Sequence, residues 1–284
     1  MPELTWEQAV EWLRCQPEQQ ALVQACYYDD PLLDAARRFA AGDEWRETRR
    51  WFSTRHGLAL DLGAGRGISS YALAADGWKV TALEPDPSAI VGAAAIRRLA
   101  RESGLPISVV ETPGERLRFP DEAFDLVNAR QVLHHARNLD ELCRQIARVL
   151  RPGGRLVATR EHVISRAEDL EAFLRGHPLH KWYGGEHAYR LEEYTAAIRG
   201  AGLRLVRVLG PYDSVVNYFP MTHEEWRQRC GGLLASVIGS WAAEIVANDR
   251  HALGRWVLRR LAARLSRRSI TPGRLYSFIA EKPR

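Results

Sequence analysis

The run Asp61-Leu62-Gly63-Ala64-Gly65-Arg66-Gly67 ends a short apolar stretch, and Glu84 ends the next one, 21 residues beyond Gly63. Glycines at alternate positions let a chain reverse sharply and let backbone come close to a ligand. A helix that starts there offers unsatisfied N–H groups. A carboxylate at the end of the second strand can accept both hydroxyls of a ribose. A dinucleotide site would place its third glycine at position 68, which is Ile68. The acid two residues before the first glycine would repel a pyrophosphate but suits an ammonium and a sulfonium. Charge therefore favours S-adenosylmethionine over NAD.

A second group of residues could move a proton. Histidine is the side chain best matched to that work near neutral pH. The candidates for catalysis are His162, His134 and His135. Glu161, His180, Tyr183, His187 and, further on, Tyr218 are candidates to touch a substrate. The stretch 177–189 is dense in His, Tyr and Trp around Gly184-Gly185, which suits a lid that excludes water. No histidine has another His, an Asp or a Glu at the i, i+4 spacing of a helix face, so no metal is expected.

Elements must position these groups. Residues 1–56 read as helices, one capped by Thr5, one starting at Asp30-Pro31 and one over 42–52. Short apolar runs then alternate with helical stretches at 68–76, 87–103, 139–150 and 191–201. The runs lie at 58–62, 78–83, 107–110, 124–127 and 155–159, and alternating strands follow at 203–209 and 274–280. This rhythm indicates an α/β, doubly wound parallel sheet of seven strands. The expected division is 1–56, an N-terminal helical segment; 57–210, a Rossmann-like core; 211–273, a helical cap insert; and 274–284, the last core strand. Tyr212, Asn217, Tyr218, Phe219 and Trp226 of the insert are expected over the acceptor site.

The sequence resembles the class I S-adenosylmethionine-dependent methyltransferases, in the small-molecule branch with the ubiquinone/menaquinone-type enzymes. The resemblance runs from about Leu58 to Thr159. It rests on Leu60–Gly67, on Ala82-Leu83-Glu84-Pro85-Asp86, on Phe119–Val127, on Val132-Leu133-His134-His135 and on Leu150–Leu156. It implies a mostly parallel sheet whose last strand is antiparallel. It places the backbone of Gly63, Ala64, Gly65 and Gly67 along the methionine part of the cofactor, with Asp61 near its ammonium. Glu84 then holds the ribose and Pro85 packs on the adenine. Pro113 replaces an acid that often meets the adenine amine, leaving the backbone of Gly114 or Glu115 to serve the ring. Asn128, Ala129 and Arg130 fall beneath the methyl-bearing end, and Tyr27 or Tyr28 closes the site from the N-terminal helices.

Composition bounds the rest. The 284 residues carry a net charge of +5, with 37 arginines and three lysines, a usage that a GC-rich coding bias explains without a nucleic-acid partner. The arginines of 255–268 fall mostly three to five apart, as on a solvated helix face. The four cysteines form no C-x-x-C pair, which suits reduced thiols. The first residues show no basic start or apolar core of a signal peptide, so a cytoplasmic protein is expected, without membrane contact and with a homodimer open. The reading is methyl transfer to a small molecule, oxygen favoured, with a sugar or another secondary metabolite as acceptor. The alternatives are an RNA methyltransferase and a non-catalytic S-adenosylmethionine-binding protein.

Overall fold

The computed structural model describes residues 4–112, 117–218, 220–240 and 251–284. The chain opens with helices α1 (Trp6–Arg14), α2 (Gln20–Ala25), α3 (Leu32–Ala41) and α4 (Asp43–Thr48). Thr5 caps α1: its hydroxyl accepts from the Gln8 N–H while the Gln8 side chain reaches back to the Thr5 N–H. Helix α2 was not legible, because only Val23 of its six residues is buried and no apolar stripe marks it.

Strand β1 (Leu58–Leu62), helix α5 (Ile68–Ala75), β2 (Lys79–Leu83), α6 (Ala93–Ser103) and β3 (Ile107–Val110) form the first half of a doubly wound unit. Helix α6 begins later than the periodicity predicts. Ser88 Oγ accepts from the N–H groups of Ile90 and Val91, and a Cβ at Gly92 would lie 2.2 Å from the Asp86 carbonyl, so 87–92 is a tight turn. The second half holds β4 (Phe124–Arg130), α7 (Leu139–Val149), β5 (Leu150–Ile164), α8 (Asp169–Gly176), α9 (His180–Tyr183), the two-residue β6 (Tyr189–Arg190), α10 (Leu191–Gly200) and β7 (Arg204–Leu209). Helices α11 (Val215–Tyr218), α12 (His223–Ile238) and α13 (Ala252–Arg268) precede β8 (Arg274–Glu281).

The sheet order is β3-β2-β1-β4-β5-β8-β7, with β6 beside the end of β5. Strands β1 to β5 pair in parallel, and β8 runs antiparallel to both β5 and β7. Seven strands with the last antiparallel are as expected, and β6 is added to them. The central strands are apolar on both faces because helices cover both. Helix α7 shows how: Leu139, Leu142, Cys143, Ile146 and Val149 are buried at spacings of three and four, and Asn138 caps its start. Strand order reverses at β1 and β4, and open α/β sheets bind ligands at the carboxyl ends of such strands.

Strand β5 is far longer than the predicted 155–159. Its pairing with β8 continues past Thr159 through Glu161–Tyr276, His162–Leu275 and Val163–Arg274, with a register shift between Ala158 and Glu161. Arg160 sits in that bulge at φ +61°. Glu161 and His162 are therefore strand residues, not loop residues beyond a strand end.

Among the described residues, none of the insert lines the cavity described below. Trp226, Cys230, Leu258 and Ala262 make a small core of their own, and Trp226 stacks on Tyr212 and on Tyr218. Asn217 is buried and pins the insert to the sheet: its amide donates to the carbonyls of Leu209 and Gly210, and its oxygen accepts from Ser277. The expected role of Tyr218 at the substrate is thus corrected to packing within the insert. Phe219 lies outside the described residues. Arg255, Arg259, Arg260, Arg264, Arg267 and Arg268 are exposed on α13, the solvated face that their spacing predicts.

Candidate functional site

A cavity of about 790 Å³ opens at the carboxyl edge of β1, β2 and β4. Gly63, Gly65 and Gly67 take φ of +60°, +54° and +85°, a left-handed path that costs a glycine little. A Cβ at Gly63 would also lie 2.8 Å from Val132 Cγ2. Three of the loop's backbone donors have partners. The N–H of Ala64 goes to the Leu83 carbonyl, that of Gly67 to the Ala64 carbonyl, and that of Gly65 to Glu84 Oε2 at 2.7 Å.

The charges at this edge are carboxylates. Glu84 is buried; its second oxygen accepts from the Asp86 N–H at 3.0 Å. Burial pushes its pKa up to about 7, against the pull of those two N–H groups. Asp61 is buried as well, with its oxygens held by Ser70 Oγ at 2.6 Å and Asn128 Nδ2 at 2.8 Å. Burial again wins, and its pKa rises to about 6. The hydrogen-bond partners of both carboxylates are neutral, so the site has room for the positive charge and the hydroxyls that a sulfonium amino acid bearing a ribose would supply. Leu62, Ile68, Leu83 and Pro85 line the same wall with apolar surface. The donor set fits S-adenosylmethionine.

Of the residues assigned to the cofactor, Asp61, Gly63, Ala64, Gly65, Glu84, Pro85 and Arg130 line the cavity. Gly67 does not; it shapes the turn, with Ile96 packed where a Cβ would be. Asn128 and Ala129 are corrected too. Asn128 acts through Asp61, and Ala129 lies in the core under the sheet. Gly114 and Glu115 lie outside the described residues.

The N-terminal helices roof the cavity. Tyr27, Tyr28, Cys26, Leu22, Leu13 and Trp6 face it. Arg66 is the tie: its buried guanidinium donates to the carbonyls of Tyr27 and Asp29 and to Asp30 Oδ1, at 2.8, 3.0 and 2.6 Å. Tyr27 and Gln131, both in the wall, hold φ of +59°, a conformation uncommon away from glycine. Arg130 spends its charge on Glu44 of α4, 2.7 Å away, and lies over the Phe39 and Tyr27 rings. Sequence reasoning missed Arg66, since its partners lie 36 to 39 positions away.

The far lobe is lined by His134, His135, Arg137, His177, Tyr183 and Glu186. His135 is exposed, and its Nδ1 lies 2.9 Å from the Gly185 carbonyl, which can only accept. The proton therefore sits on Nδ1, and Nε2 is left as the ring's acceptor. His134 is buried between two acids, with Nδ1 2.7 Å from Glu161 Oε2 and Nε2 3.5 Å from Glu186 Oε2. Burial opposes its charge, but the two carboxylates of Glu161 and Glu186 override that, and its pKa rises to about 9. Glu161 also accepts from the N–H groups of Val132 and His134.

Four expected contacts are corrected here. His162 does not line the cavity: its ring lies behind His134, 4.8 Å between centroids, its Nδ1 faces the Gly273 carbonyl, and burial drives its pKa down to about 3. Glu161 is fully buried and serves His134 rather than a substrate. His180 and His187 also stay outside the lining, His187 with its ring against Tyr189. Tyr183 does reach it, stacked on Trp6 and donating to Glu186 Oε1. Glu186 was not singled out from sequence, because nothing local marks one acid of a mixed loop.

Comparison with known proteins agrees with this geometry. The family described as a methyltransferase domain matches residues 60–158. The ubiquinone biosynthesis O-methyltransferase of Agrobacterium fabrum is 29% identical over 161 residues, covering 55% of this chain and 63% of that protein. The match to the first such curated relatives spans just under two thirds of their length. Among solved structures, a [4+2]-cyclase, SpnF, superposes with a TM-score of 0.55 at 23% identity, covering 88% of this chain and 81% of that one. A putative sarcosine dimethylglycine methyltransferase from Galdieria sulphuraria gives 0.55 at 17% identity, covering 99% and 91%. One fold thus carries more than one named chemistry, so the reaction must be argued from the site. Residues 60–158 match the methyltransferase-domain family, and the chain has the fold of the class I S-adenosylmethionine-dependent methyltransferases.

Proposed function

We propose that the protein transfers a methyl group from S-adenosylmethionine to a hydroxyl of a small molecule. The observation that carries this is Glu84. It is a buried carboxylate held by two backbone N–H groups beside the glycine turn, at the mouth of a cavity that continues into a lobe of His and Tyr side chains. When bound, S-adenosylmethionine supplies a methyl group on an electrophilic sulfur. Glu84 accepts the ribose hydroxyls, Pro85 and Leu83 face the base, and the Asp61 carboxylate draws the ammonium to the turn. The Tyr27–Tyr28 segment roofs the site and excludes water, so the chain's main work is alignment.

A hydroxyl must lose its proton as it takes the methyl. His135 presents the free Nε2 for that proton, with its Nδ1–H anchored on Gly185. The expected base, His162, is behind the wall. His135→Ala should slow turnover about 10²-fold with the affinity for S-adenosylmethionine kept, and His162→Ala should leave that affinity unchanged as well. Turnover of His135→Ala at the wild-type rate would clear His135 of the role. Methyl-labelled S-adenosylmethionine offered to a metabolite extract tests the whole reading: label should appear in a small hydroxylated product. Enzyme names among the curated relatives, O-methyltransferases of ubiquinone biosynthesis, support oxygen as the atom that takes the methyl. Among the described residues no helix is long and apolar enough to cross a membrane.

A further inference from the structure

The far lobe holds a second set of groups with no part in cofactor binding. His134, His162 and Glu186 each offer one ligand atom, and these atoms all lie within 4.8 Å of one another. They come from three separate segments, the turn after β4, strand β5 and the loop before β6. We infer that this cluster is a binding site for one divalent first-row transition cation.

Four observations support it. First, the histidines are aimed. His134 donates from Nδ1 to Glu161, and His162 donates from Nδ1 to the Gly273 carbonyl, so Nε2 of each ring is the nitrogen turned to the cluster, and on His134 a cation would take the place of the Nε2 proton. A carboxylate or carbonyl behind each imidazole is how metal-ligating histidines are oriented. Second, Glu186 Oε2 is buried with no hydrogen-bond partner, on a side chain only 9% exposed. Its other oxygen is already taken by the Tyr183 hydroxyl. Third, His134 Nε2 and Glu186 Oε2 stand 3.5 Å apart, too far for a good hydrogen bond but near the ligand spacing that metal bonds of 2.0–2.2 Å require. Fourth, His177 Nε2 is 3.8 Å from Glu186 Oε1, a further donor at the edge. Spacings of up to 4.8 Å exceed those of a closed site, so loading must draw the three segments together.

Two imidazoles and one carboxylate on one side leave positions open, the arrangement that suits Zn²⁺, Fe²⁺ or Mn²⁺ rather than Ca²⁺ or Mg²⁺. Those positions face the cavity, since His134 and Glu186 line it. Coordination of an acceptor hydroxyl there would lower its pKa and help His135 to take the proton. Only this last role rests on the methyl-transfer reading; the cation site does not.

The test is a titration of the full chain, freed of metal by a chelator, with Co²⁺. One equivalent should bind with a visible ligand-field spectrum and be displaced by Zn²⁺. Glu186→Gln and His162→Gln should each weaken Co²⁺ at least tenfold, and Glu161→Gln, which only orients His134, about 10- to 100-fold. His187→Ala should change nothing. Absence of the spectrum at millimolar Co²⁺, or one-equivalent binding unaffected by both ligand variants, overturns the site. Melting curves identify a misfolded variant, and the two ligand variants stand in different segments, so one failure leaves the other. Calorimetry of S-adenosylmethionine on the same protein separates the two readings: lost metal with intact cofactor binding sinks only the cation site, and the reverse sinks only methyl transfer.

Discussion

Glu84→Gln is expected to weaken S-adenosylmethionine roughly ten- to a hundredfold in Kd. The substitution keeps the size of the side chain and one acceptor for the Gly65 N–H, so the turn survives, but it removes the charge that the ribose hydroxyls meet. A hydrogen bond to a charged group is worth about 1.5–3 kcal/mol, and each 1.4 kcal/mol is tenfold in affinity. Calorimetry on the wild type and the variant measures it. Equal affinities would mean that the ribose lies elsewhere.

The same residue makes binding depend on pH, with a definite sign. Burial raises the Glu84 pKa to about 7 in the free protein. The ionised carboxylate is the form that accepts two hydroxyls, so ligand lowers that pKa and expels a proton. Affinity should be flat above about pH 8 and about tenfold weaker at pH 6. Asp61, pushed up to about 6, steepens the fall below that point. Glu84→Gln should flatten the limb between pH 8 and 6.5 and leave the lower one. Stability without ligand runs the other way. Both acids have folded pKa values above their unfolded ones, so their stabilising share is complete below about pH 4 and is lost as pH rises through about 7. Saturating S-adenosylmethionine should cancel that loss in a melting series.

What the sequence disclosed follows from how local each signal is. The turn at Gly63–Gly67 is legible because left-handed φ values and an adjacent acid are properties of seven consecutive residues. Glu84 is legible because strand length fixes where β2 ends. The doubly wound, mostly parallel sheet follows from the alternation of short apolar runs with helices. Side-chain direction is not local. The bulge at Arg160 resets which residues of β5 face which way, and it turns His162 behind His134 instead of into the cavity. Arg66 and Glu186 get their roles from partners far along the chain, which spacing alone cannot announce. The metal cluster stayed hidden for the same reason: helix spacing is one way to gather ligands, and here three separate segments do it.

Arg130 was legible by position and not by role, and its partner carries the largest expected effect on stability. Glu44 is almost wholly buried, 2.7 Å from Arg130 Nε and 3.3 Å from Arg160 Nη1, whose side chains are 14% and 9% exposed. Burial alone would raise the Glu44 pKa, but the two guanidiniums hold it below the usual carboxylate range. Glu44→Ala leaves two buried cations facing each other without their counter-charge. Breaking a buried pair in this way costs about 3–5 kcal/mol, more than the pair itself adds over an apolar replacement. At about 2–4 °C per kcal/mol for a chain of this size, the melting midpoint should fall by about 10 °C. Adding Arg130→Met to Glu44→Ala should recover part of the loss, since one stranded charge is gone; an additive double variant would show that the two residues do not act as a pair. The pH sign is opposite to that of Glu84. A depressed carboxyl stabilises the fold above its unfolded pKa and gives that stability up as pH falls through the folded one, so the wild type should lose more than Glu44→Ala between neutral pH and pH 3. The consequence reaches the cavity: the Glu44–Arg130 pair fastens α4 to the end of β4, so the variant that melts early should also bind S-adenosylmethionine less tightly, by loosening the wall rather than by removing a contact.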